Sequence, residues 1–353
     1  MTSDKYVGLD VHKATIVGAV HDAVGKCLMS SIIETKAETI RAFIKGVSGT
    51  VHVTLEEGTH AAWLFELIKP LVAEVIVCNP RHNALLHSGN KSDTIDANKL
   101  AQLLRGGQLK PVYHEAHGTQ SLKQLAQCYE ALVDDNIRVM NRIKALYRGR
   151  GIPCSGRGVY SESQREDWLA KLEAPGARTR AELLYTQLES LGKLRRQARN
   201  EMIKQSRPHT AYKILTAVPG LGPVGVALIL AKVVTPFRFR TKRQLWTYVG
   251  LAVVTKGSAE YQFVGGELRK RNKATSTRGL NKNYNRRLKK VFKSAALVAI
   301  RSEPFAGYYR NLIEKGTTPE IARVNIARKL ASIVLSLWKR GEEYDRQRMS
   351  KSA

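Results

Sequence analysis

Short apolar runs alternate with amphipathic stretches along the first third of the chain. Runs of strand length, rich in β-branched residues, occupy positions 6–10, 15–21, 28–34, 51–56 and 73–80. Between the later runs, apolar residues recur at helical spacing over 37–47 and around 63–68. Three strands before the first helix predict a β-meander. The helices and strands that follow predict an α/β sheet.

A further helix is predicted to begin just after residue 91, where apolar residues such as Ile95 and Leu100 repeat at helical intervals. Ser92 or Asp93 is suited to cap it. Asp93 and Asp96 stand three positions apart, so both carboxylates can lie on one face. Two such carboxylates repel each other unless a cation lies between them or one takes a proton. The alternative is a capping aspartate and a second acid that the helix dipole favours, and these residues leave both interpretations open.

Two acids end predicted strands, Asp10 on the first strand and Glu56 on the fourth. Strand ends in α/β sheets meet at one edge, so these carboxylates are predicted to approach Asp93 and Asp96. The order of elements resembles the ribonuclease H and RuvC fold, and this resemblance implies a carboxylate cluster that binds two divalent metals for phosphodiester chemistry. One acid at a strand end is usually a solvated terminus, but four acids in this order favour a site.

Glu57 competes with Glu56 for a place in this cluster. Successive residues of a strand face opposite sides of the sheet. Glu56 continues the phase of His52 and Thr54, opposite the apolar residues that alternate with them. This alternation favours Glu56, and the choice between the two glutamates stays open.

From residue 121 the hydrophobic pattern changes to steps of three and four without a break. The stripe comprises Leu122, Leu125, Tyr129, Leu132, Asn136, Val139, Ile143 and Leu146. After a stretch rich in glycine and basic residues at 149–158, a second helical run covers 180–206. Two such helices predict an antiparallel coiled-coil arm, with the core of a helical bundle as the alternative. The polar Asn136 in the core line suggests a register-setting contact in a dimer.

The region after residue 208 is apolar at first and then strongly basic. Segment 214–227 has the form of a helix-hairpin-helix, whose glycines let backbone amides approach phosphate, although a plain helix–helix turn has the same form. Between Pro236 and Lys293, sixteen Lys and Arg residues stand against two Glu, with aromatic residues interleaved. This pattern favours nucleic acid over a solvated basic face. The cations predicted to bind it are Lys256, Arg269, Lys270, Arg271, Arg278, Arg286, Arg287, Lys289 and Lys290.

Two helices and one polar break complete the pattern of this region. A basic helix is predicted from 275 to 300 and an amphipathic helix from 321 to 338. Ser258 follows a glycine in a polar break after an apolar strand, with Lys256 two residues before it. A lone Gly-Ser is more often a turn than the site of a nucleophile. The residues alone therefore favour a turn at this position.

The composition narrows the class of partner. The chain has 353 residues and a net charge of +28, which predicts nucleic acid as the partner. No apolar run approaches the ~20 residues of a membrane helix, and the first residues lack the apolar segment of a signal peptide. No membrane contact and a cytoplasmic location are therefore expected.

The four cysteines lack the spacing of a zinc site or a disulfide framework. The length predicts two or three domains. The changes of pattern along the chain favour three, at 1–115, 116–208 and 209–353.

Together these segments resemble one family over nearly the whole chain, the DEDD transposases of the insertion sequence 110 type, described as bridge-RNA-guided serine recombinases. The matching pieces are Gly8-Leu9-Asp10, Leu55-Glu56, Asp93-Thr94-Ile95-Asp96-Ala97, Val218-Pro219-Gly220-Leu221-Gly222, Gly250-Leu251 followed by Ser258, and Ala327-Arg328-Lys329-Leu330. The resemblance implies an α/β RuvC-like N-terminal domain, a coiled-coil connector and a mostly α C-terminal serine domain with a helix-hairpin-helix. It also implies that Asp10, Glu56, Asp93 and Asp96 bind Mg²⁺ and that Ser258 is the nucleophile.

The same resemblance implies a reaction and a set of partners. The serine would attack DNA with metal assistance, through a covalent phosphoserine intermediate, and a noncoding RNA would pair with donor and target DNA. The protein would be a homo-oligomer, a dimer or tetramer, whose acids and serine come from different subunits. The sequence departs from the family at Ala259, where glycine commonly follows the serine, and Ser276 offers a rival hydroxyl. The alternatives are a RuvC-like metal-dependent nuclease without serine chemistry and a non-catalytic nucleic-acid-binding protein.

Overall fold

The computed structural model of the protein describes residues 3–79, 92–114, 120–256, 261–265, 267–270 and 276–346. The chain divides into two compact units, Met1–Gly118 and Thr119–Ala353. The first unit is α/β and the second is mostly helical, as the hydrophobic pattern predicts. The finer division into three domains stays a prediction. Within the described ranges, no helix is both long enough and apolar enough to cross a membrane.

The first unit is built on a five-stranded mixed sheet. Its elements are β1 (Asp4–Val11), β2 (Thr15–His21), β3 (Cys27–Glu34), α1 (Ala37–Lys45), β4 (Thr50–Glu56), α2 (Ala61–Ile68), β5 (Glu74–Cys78) and α3 (Asp93–Arg105). The strand order is β3-β2-β1-β4-β5, in which β1 pairs antiparallel with β2 and parallel with β4. The predicted meander and α/β sheet are confirmed, and this topology is compatible with a RuvC-like domain.

The helices of the first unit lie on the two faces of the sheet. Apolar side chains of β1 and β4, such as Leu9 and Leu55, form one core with α1 and α2. Helix α3 covers the opposite face, where Gly8 of β1 lies against it. A Cβ on Gly8 would lie 2.6 Å from the backbone nitrogen of Ala101 and would overlap the carbonyl oxygen of Ala97. Only glycine therefore allows α3 to approach β1 this closely.

The second unit begins with two long helices and continues with shorter elements. These are α4 (Gln120–Arg148), α5 (Arg165–Leu169), α6 (Pro175–Ser206), α7 (Ala211–Thr216), α8 (Pro223–Val233), α9 (Lys242–Tyr248), β6 (Val253–Lys256), β7 (Tyr261–Val264), β8 (Glu267–Lys270), β9 (Ser276–Leu280), α10 (Arg286–Ala299), α11 (Phe305–Glu314) and α12 (Pro319–Arg340). Strand β6 pairs with β9, and β7 pairs with β8. The basic helix predicted to open at residue 275 begins only at Arg286, because 276–280 pair with β6 as a strand.

Helices α4 and α6 run antiparallel. The C-terminal half of α4, with Val139 and Ile143, shares a core with the first turns of α6, while Leu122 near the start of α4 shares a core with Met202 near the end of α6. The predicted stripe on α4 is buried or half-buried, but supercoiling of the pair stays a prediction. Asn136 is buried within a single chain, so its burial requires no second copy.

Helices α7 and α8 enclose the Pro-Gly-Leu-Gly turn and therefore form a helical hairpin. Gly220 in this turn has a φ of +80°, and a Cβ there would overlap the carbonyl oxygen of Ala295 on α10. This glycine is thus required for the close packing of the turn against α10. Phosphate binding by the hairpin stays a prediction.

Candidate functional site

The start of α3 is fixed next to the end of β1. The Ser92 hydroxyl accepts a hydrogen bond from the backbone N–H of Ile95 at 3.2 Å, so Ser92 is the N-cap and Asp93 is the first helical residue. The close approach of α3 at Gly8 then brings the first turn of α3 to Asp10, two residues farther along β1 on the same face. Carboxylates from a strand, Asp10, and from a helix, Asp93, therefore lie together at this edge of the sheet.

Asp10, His12 and Asp93 form the tightest group at this edge. His12 Nε2 lies 3.2 Å from Asp10 Oδ2 and 3.5 Å from Asp93 Oδ2. Each of the three residues offers a donor atom, and these atoms all lie within 4.8 Å of one another. This group of donor atoms could hold a metal ion.

Asp96 lies one helical turn after Asp93, next to the same group. Its Oδ1 atom is shielded from solvent and accepts no hydrogen bond from any described residue. Lys99 Nζ lies 3.8 Å from this oxygen, which is beyond hydrogen-bond distance but close enough for an ion pair. Burial of a carboxylate oxygen without a hydrogen bond is costly, and the charge of Lys99 offsets part of that cost.

The environment of Asp10 disfavours its negative charge. Burial raises the pKa of Asp10 above its ordinary value, and the charges of Asp93 and Asp96 raise it further, whereas His12 opposes the shift. The three aspartates are therefore close enough to interact electrostatically. Carboxylate oxygens are the ligands that hard divalent cations prefer, so these residues fit such a cation.

The two neighbouring glutamates point to different environments. Glu57 Oε2 lies 2.6 Å from His114 Nε2, and the His114 ring packs against Phe65 of α2. Glu56 follows Leu55, the residue that pairs with Leu9, and so stands beside Asp10 in the parallel register. Burial raises the pKa of Cys78 to about 11, and the nearby charge of Glu56 is the second cause of this shift. Cys78 packs against α3. Glu57 thus lies toward α2, while Glu56 lies on the α3 side.

The sequence interpretation passed over His12 as part of the site. The available signal was its position two residues after Asp10, because residues two apart at the end of a strand project to one side. What the sequence did not contain was the position of Asp93, whose carboxylate lies near the same ring nitrogen of His12 as that of Asp10.

Ser258 lies outside the described residues, between β6 and β7. The start of its segment is firmly held: Arg328 Nε donates to the carbonyl oxygen of Leu251 at 2.6 Å. Gly250, with a φ of +72°, lies so close to the ring of Tyr284 that a Cβ would overlap it. Arg328 and Leu251 both belong to segments that carry the family resemblance. The contacts of Leu251 and Gly250 hold the backbone that leads into β6.

The predicted cations on α10 differ in their surroundings. Arg286 and Lys290 are exposed, stand four residues apart on one face, and form no ion pair with a described acid. Arg287 instead pairs with Asp134 of α4, so its charge is largely compensated within the unit. Lys289 Nζ lies 4.2 Å from the centre of the Tyr284 ring.

The other predicted cations lie on or near the short strands. Arg269 is exposed on β8 and pairs with Glu267 at 3.2 Å. Arg271 lies outside the described residues. Strands β6, β8 and β9 carry the remaining three, whose backbones alone are described: Lys256, Lys270 and Arg278.

The aromatic residues of the basic region are mainly structural. Trp246 Nε1 donates to the carbonyl oxygen of Arg328 at 3.0 Å, and the Tyr248 hydroxyl donates to that of Lys232 at 3.1 Å. Phe237 and, on β7, Phe263 are exceptions among the rings that the structure describes, because 71% and 75% of their surfaces are exposed. These two rings are available to stack on bases.

A cleft of about 940 Å³ between α9 and α12 has further cations in its lining. They include Arg240, Lys242, Lys329 and Arg340, with Glu342 and Glu343 at the same cleft. The sequence interpretation did not single these cations out, because two segments that are distant along the chain supply them and only packing brings these segments together.

Two family models match the chain. Residues 7–149 match the DEDD transposase model of the IS110 group, described as "Transposase". Residues 212–310 match a model described as "Transposase IS116/IS110/IS902 family". The first match contains the four acids and the second contains Ser258. A comparison with curated proteins found no match.

Proposed function

Because the chain belongs to the IS110 family of insertion-sequence transposases, we propose that it cuts and rejoins DNA strands through metal-assisted attack by Ser258. Transposition is a DNA recombination reaction, so the family implies a DNA substrate and enzymatic strand cleavage. The finer assignments concern the metal, the nucleophile and the guide.

The observation that supports a metal-dependent reaction most directly is the convergence of Asp10, Asp93 and Asp96 at one sheet edge. We assign these residues and Glu56 as the ligands of Mg²⁺. A divalent cation bound there would polarise the scissile phosphate and favour deprotonation of the attacking hydroxyl. The protein supplies a rigid strand end and a capped helix, which hold the carboxylates before the substrate arrives.

Ser258 is the proposed nucleophile. Its Oγ would form a bond to phosphorus, the bond from phosphorus to the 3′ oxygen of the DNA would break, and that oxygen would take a proton. The phosphodiester energy is kept in the phosphoserine link, so a new 3′ hydroxyl can reverse the reaction and rejoin strands without ATP. The family match over residues 212–310, which contains Ser258, supports this role. The contacts at Leu251 and Gly250 hold the backbone just before β6.

The proposed partners are donor and target DNA and a noncoding guide RNA, and the proposed location is the cytoplasm. The net charge of +28 is consistent with a protein that binds two polyanions, DNA and RNA. We further propose a homo-oligomer, a dimer or tetramer, in which the acids of one subunit act with the serine of another.

The test uses the full chain with DNA that carries the ends of its own element, RNA transcribed from the flanking noncoding segment, and Mg²⁺. We expect a protein–DNA adduct that survives denaturant, a free 3′ hydroxyl and joined strands that depend on the RNA. Hydrolysed ends without an adduct would replace this proposal with the RuvC-like nuclease. Binding without cleavage in Mg²⁺ or Mn²⁺ would favour the non-catalytic alternative.

Removal of two exposed cations from α10 should weaken nucleic-acid binding through the loss of contacts at this helix. Changing Arg286 and Lys290 to Ala is expected to lower the slope of log K against log salt by about one unit per lost phosphate contact. Filter binding or fluorescence anisotropy at several salt concentrations measures the slope.

The matched control is the pair Arg41 and Lys45, which are exposed four residues apart on α1 and carry the same charge. Changing them to Ala should leave the slope almost unchanged. Equal losses in both double variants would mean that net charge, and not contact at α10, determines the binding. An unchanged slope in the Arg286 and Lys290 variant would remove them from the interface.

A further inference from the structure

His12 directs a single ring nitrogen at two carboxylates of the acidic cluster. The same atom, Nε2, lies 3.2 Å from Asp10 Oδ2 and 3.5 Å from Asp93 Oδ2. Adjacent ligands of an octahedral cation lie about 3 Å apart and opposite ligands about 4 Å apart, given ligand distances near 2.1 Å. The two distances from His12 Nε2 are therefore close to those between adjacent ligands on one ion.

A second histidine of the same sheet shows that acidic neighbours alone do not produce this arrangement. His52 also lies between two acids, but its Nδ1 faces Glu74 at 3.1 Å and its Nε2 faces Asp4 at 3.8 Å. Its acids lie on opposite sides of the ring and cannot share an ion with it. Within the described part of the chain, only the group of Asp10, His12 and Asp93 brings three donor atoms together.

We propose that His12 is a direct ligand, through Nε2, of a divalent cation that Asp10 and Asp93 also bind. This inference rests on the metal site of the proposed function and adds a nitrogen donor to the four acids. Nearly half of the His12 side chain is exposed, so an ion can reach the nitrogen from solvent. Imidazole suits transition metals better than Mg²⁺, so His12 gives the site a preference for Mn²⁺ over Mg²⁺.

The test is electron spin-echo spectroscopy of the full chain loaded with less than one equivalent of Mn²⁺, in the absence of nucleic acid. Wild type should show modulation from a directly bound ¹⁴N nucleus, and incorporation of ¹⁵N-histidine should change its pattern. His12→Ala should lose the signal, and its Kd for Mn²⁺ should rise about tenfold or more. Its Kd for Mg²⁺ should rise by less than about threefold. The control His52→Ala should keep both the signal and the affinity.

The outcomes separate this inference from the proposed function. Mn²⁺ that binds to wild type without a nitrogen signal, and is lost when Asp10 and Asp93 are changed to Asn, would overturn the role of His12 and leave the carboxylate site intact. A nitrogen signal that persists in His12→Ala would also overturn it. Absence of Mn²⁺ and Mg²⁺ binding in wild type would overturn the carboxylate site as well. If His12→Ala folds poorly, His12→Asn, which keeps a polar side chain and should also lose the imidazole signal, takes its place.

Discussion

Changing Asp93 and Asp96 together to Asn should abolish strand cleavage while DNA and RNA binding persists. The two amides keep the size and the helical positions of the carboxylates but remove two charges that the proposed cation would need. We expect the cleavage rate to fall by at least about 10³-fold, since loss of one preorganised electrostatic contact already costs about 10²- to 10³-fold. Asp10→Asn should have a similar effect. Gel assays of cleavage and binding on the same samples separate the two properties.

The neighbouring glutamates provide a matched comparison for this prediction. Glu56→Gln removes a charge on the α3 side of the sheet and should reduce cleavage strongly. Glu57→Gln removes a charge that pairs with His114 on the α2 side and should affect stability more than cleavage. Full cleavage by the Asp93 and Asp96 double variant would refute the metal assignment. A larger loss from Glu57→Gln than from Glu56→Gln would exchange the roles of the two glutamates.

Ser258→Ala should form no covalent adduct and exchange no strands. The variant loses one oxygen from a polar segment, so binding of DNA and RNA should be retained. Removal of a nucleophile commonly lowers turnover by about 10⁴-fold or more. The adduct should accumulate on nicked DNA, from which the modified wild-type peptide can be isolated and sequenced.

Ser276→Ala is the control, because Ser276 offers a second hydroxyl in the same basic region. It stands at the start of β9, in the strand that pairs with β6. Its loss should leave adduct formation nearly unchanged. Recovery of the adduct at Ser276, or wild-type recombination by Ser258→Ala, would contradict the assignment. Retained cleavage by Ser258→Ala with simple hydrolysed ends would indicate nuclease chemistry.

The sequence by itself determined the order and type of most elements. Strand period two and helix period 3.6 are local properties, so the meander, α3 and the stripe on α4 could be predicted from the residues. The N-cap at Ser92 is also local, because one hydroxyl and the next three residues form it. Acids that end strands could be assigned to one edge, since the carboxyl ends of neighbouring parallel strands lie together.

Predictions from the local pattern of residues were wrong where strand pairing or side-chain packing determined the structure. Residues 276–280 are basic and rich in hydroxyl groups, which gave no sign of their pairing with β6. Arg287 was indistinguishable from Arg286 in sequence, yet α4 supplies Asp134 to one and not to the other. Trp246 appeared to be available for bases, but its indole donates to α12. In each case the deciding partner is distant along the chain.

The site itself shows the same division. The sequence determined that acids stand at Asp10 and Asp93 and that both elements end near one edge. Only the tertiary structure placed His12 Nε2 between their carboxylates, because this depends on how closely α3 approaches β1 at Gly8. Likewise, only packing directed Glu57 toward His114. Contact distances of a few ångströms between remote residues depend on the sum of many packing interactions, and no local period encodes that sum.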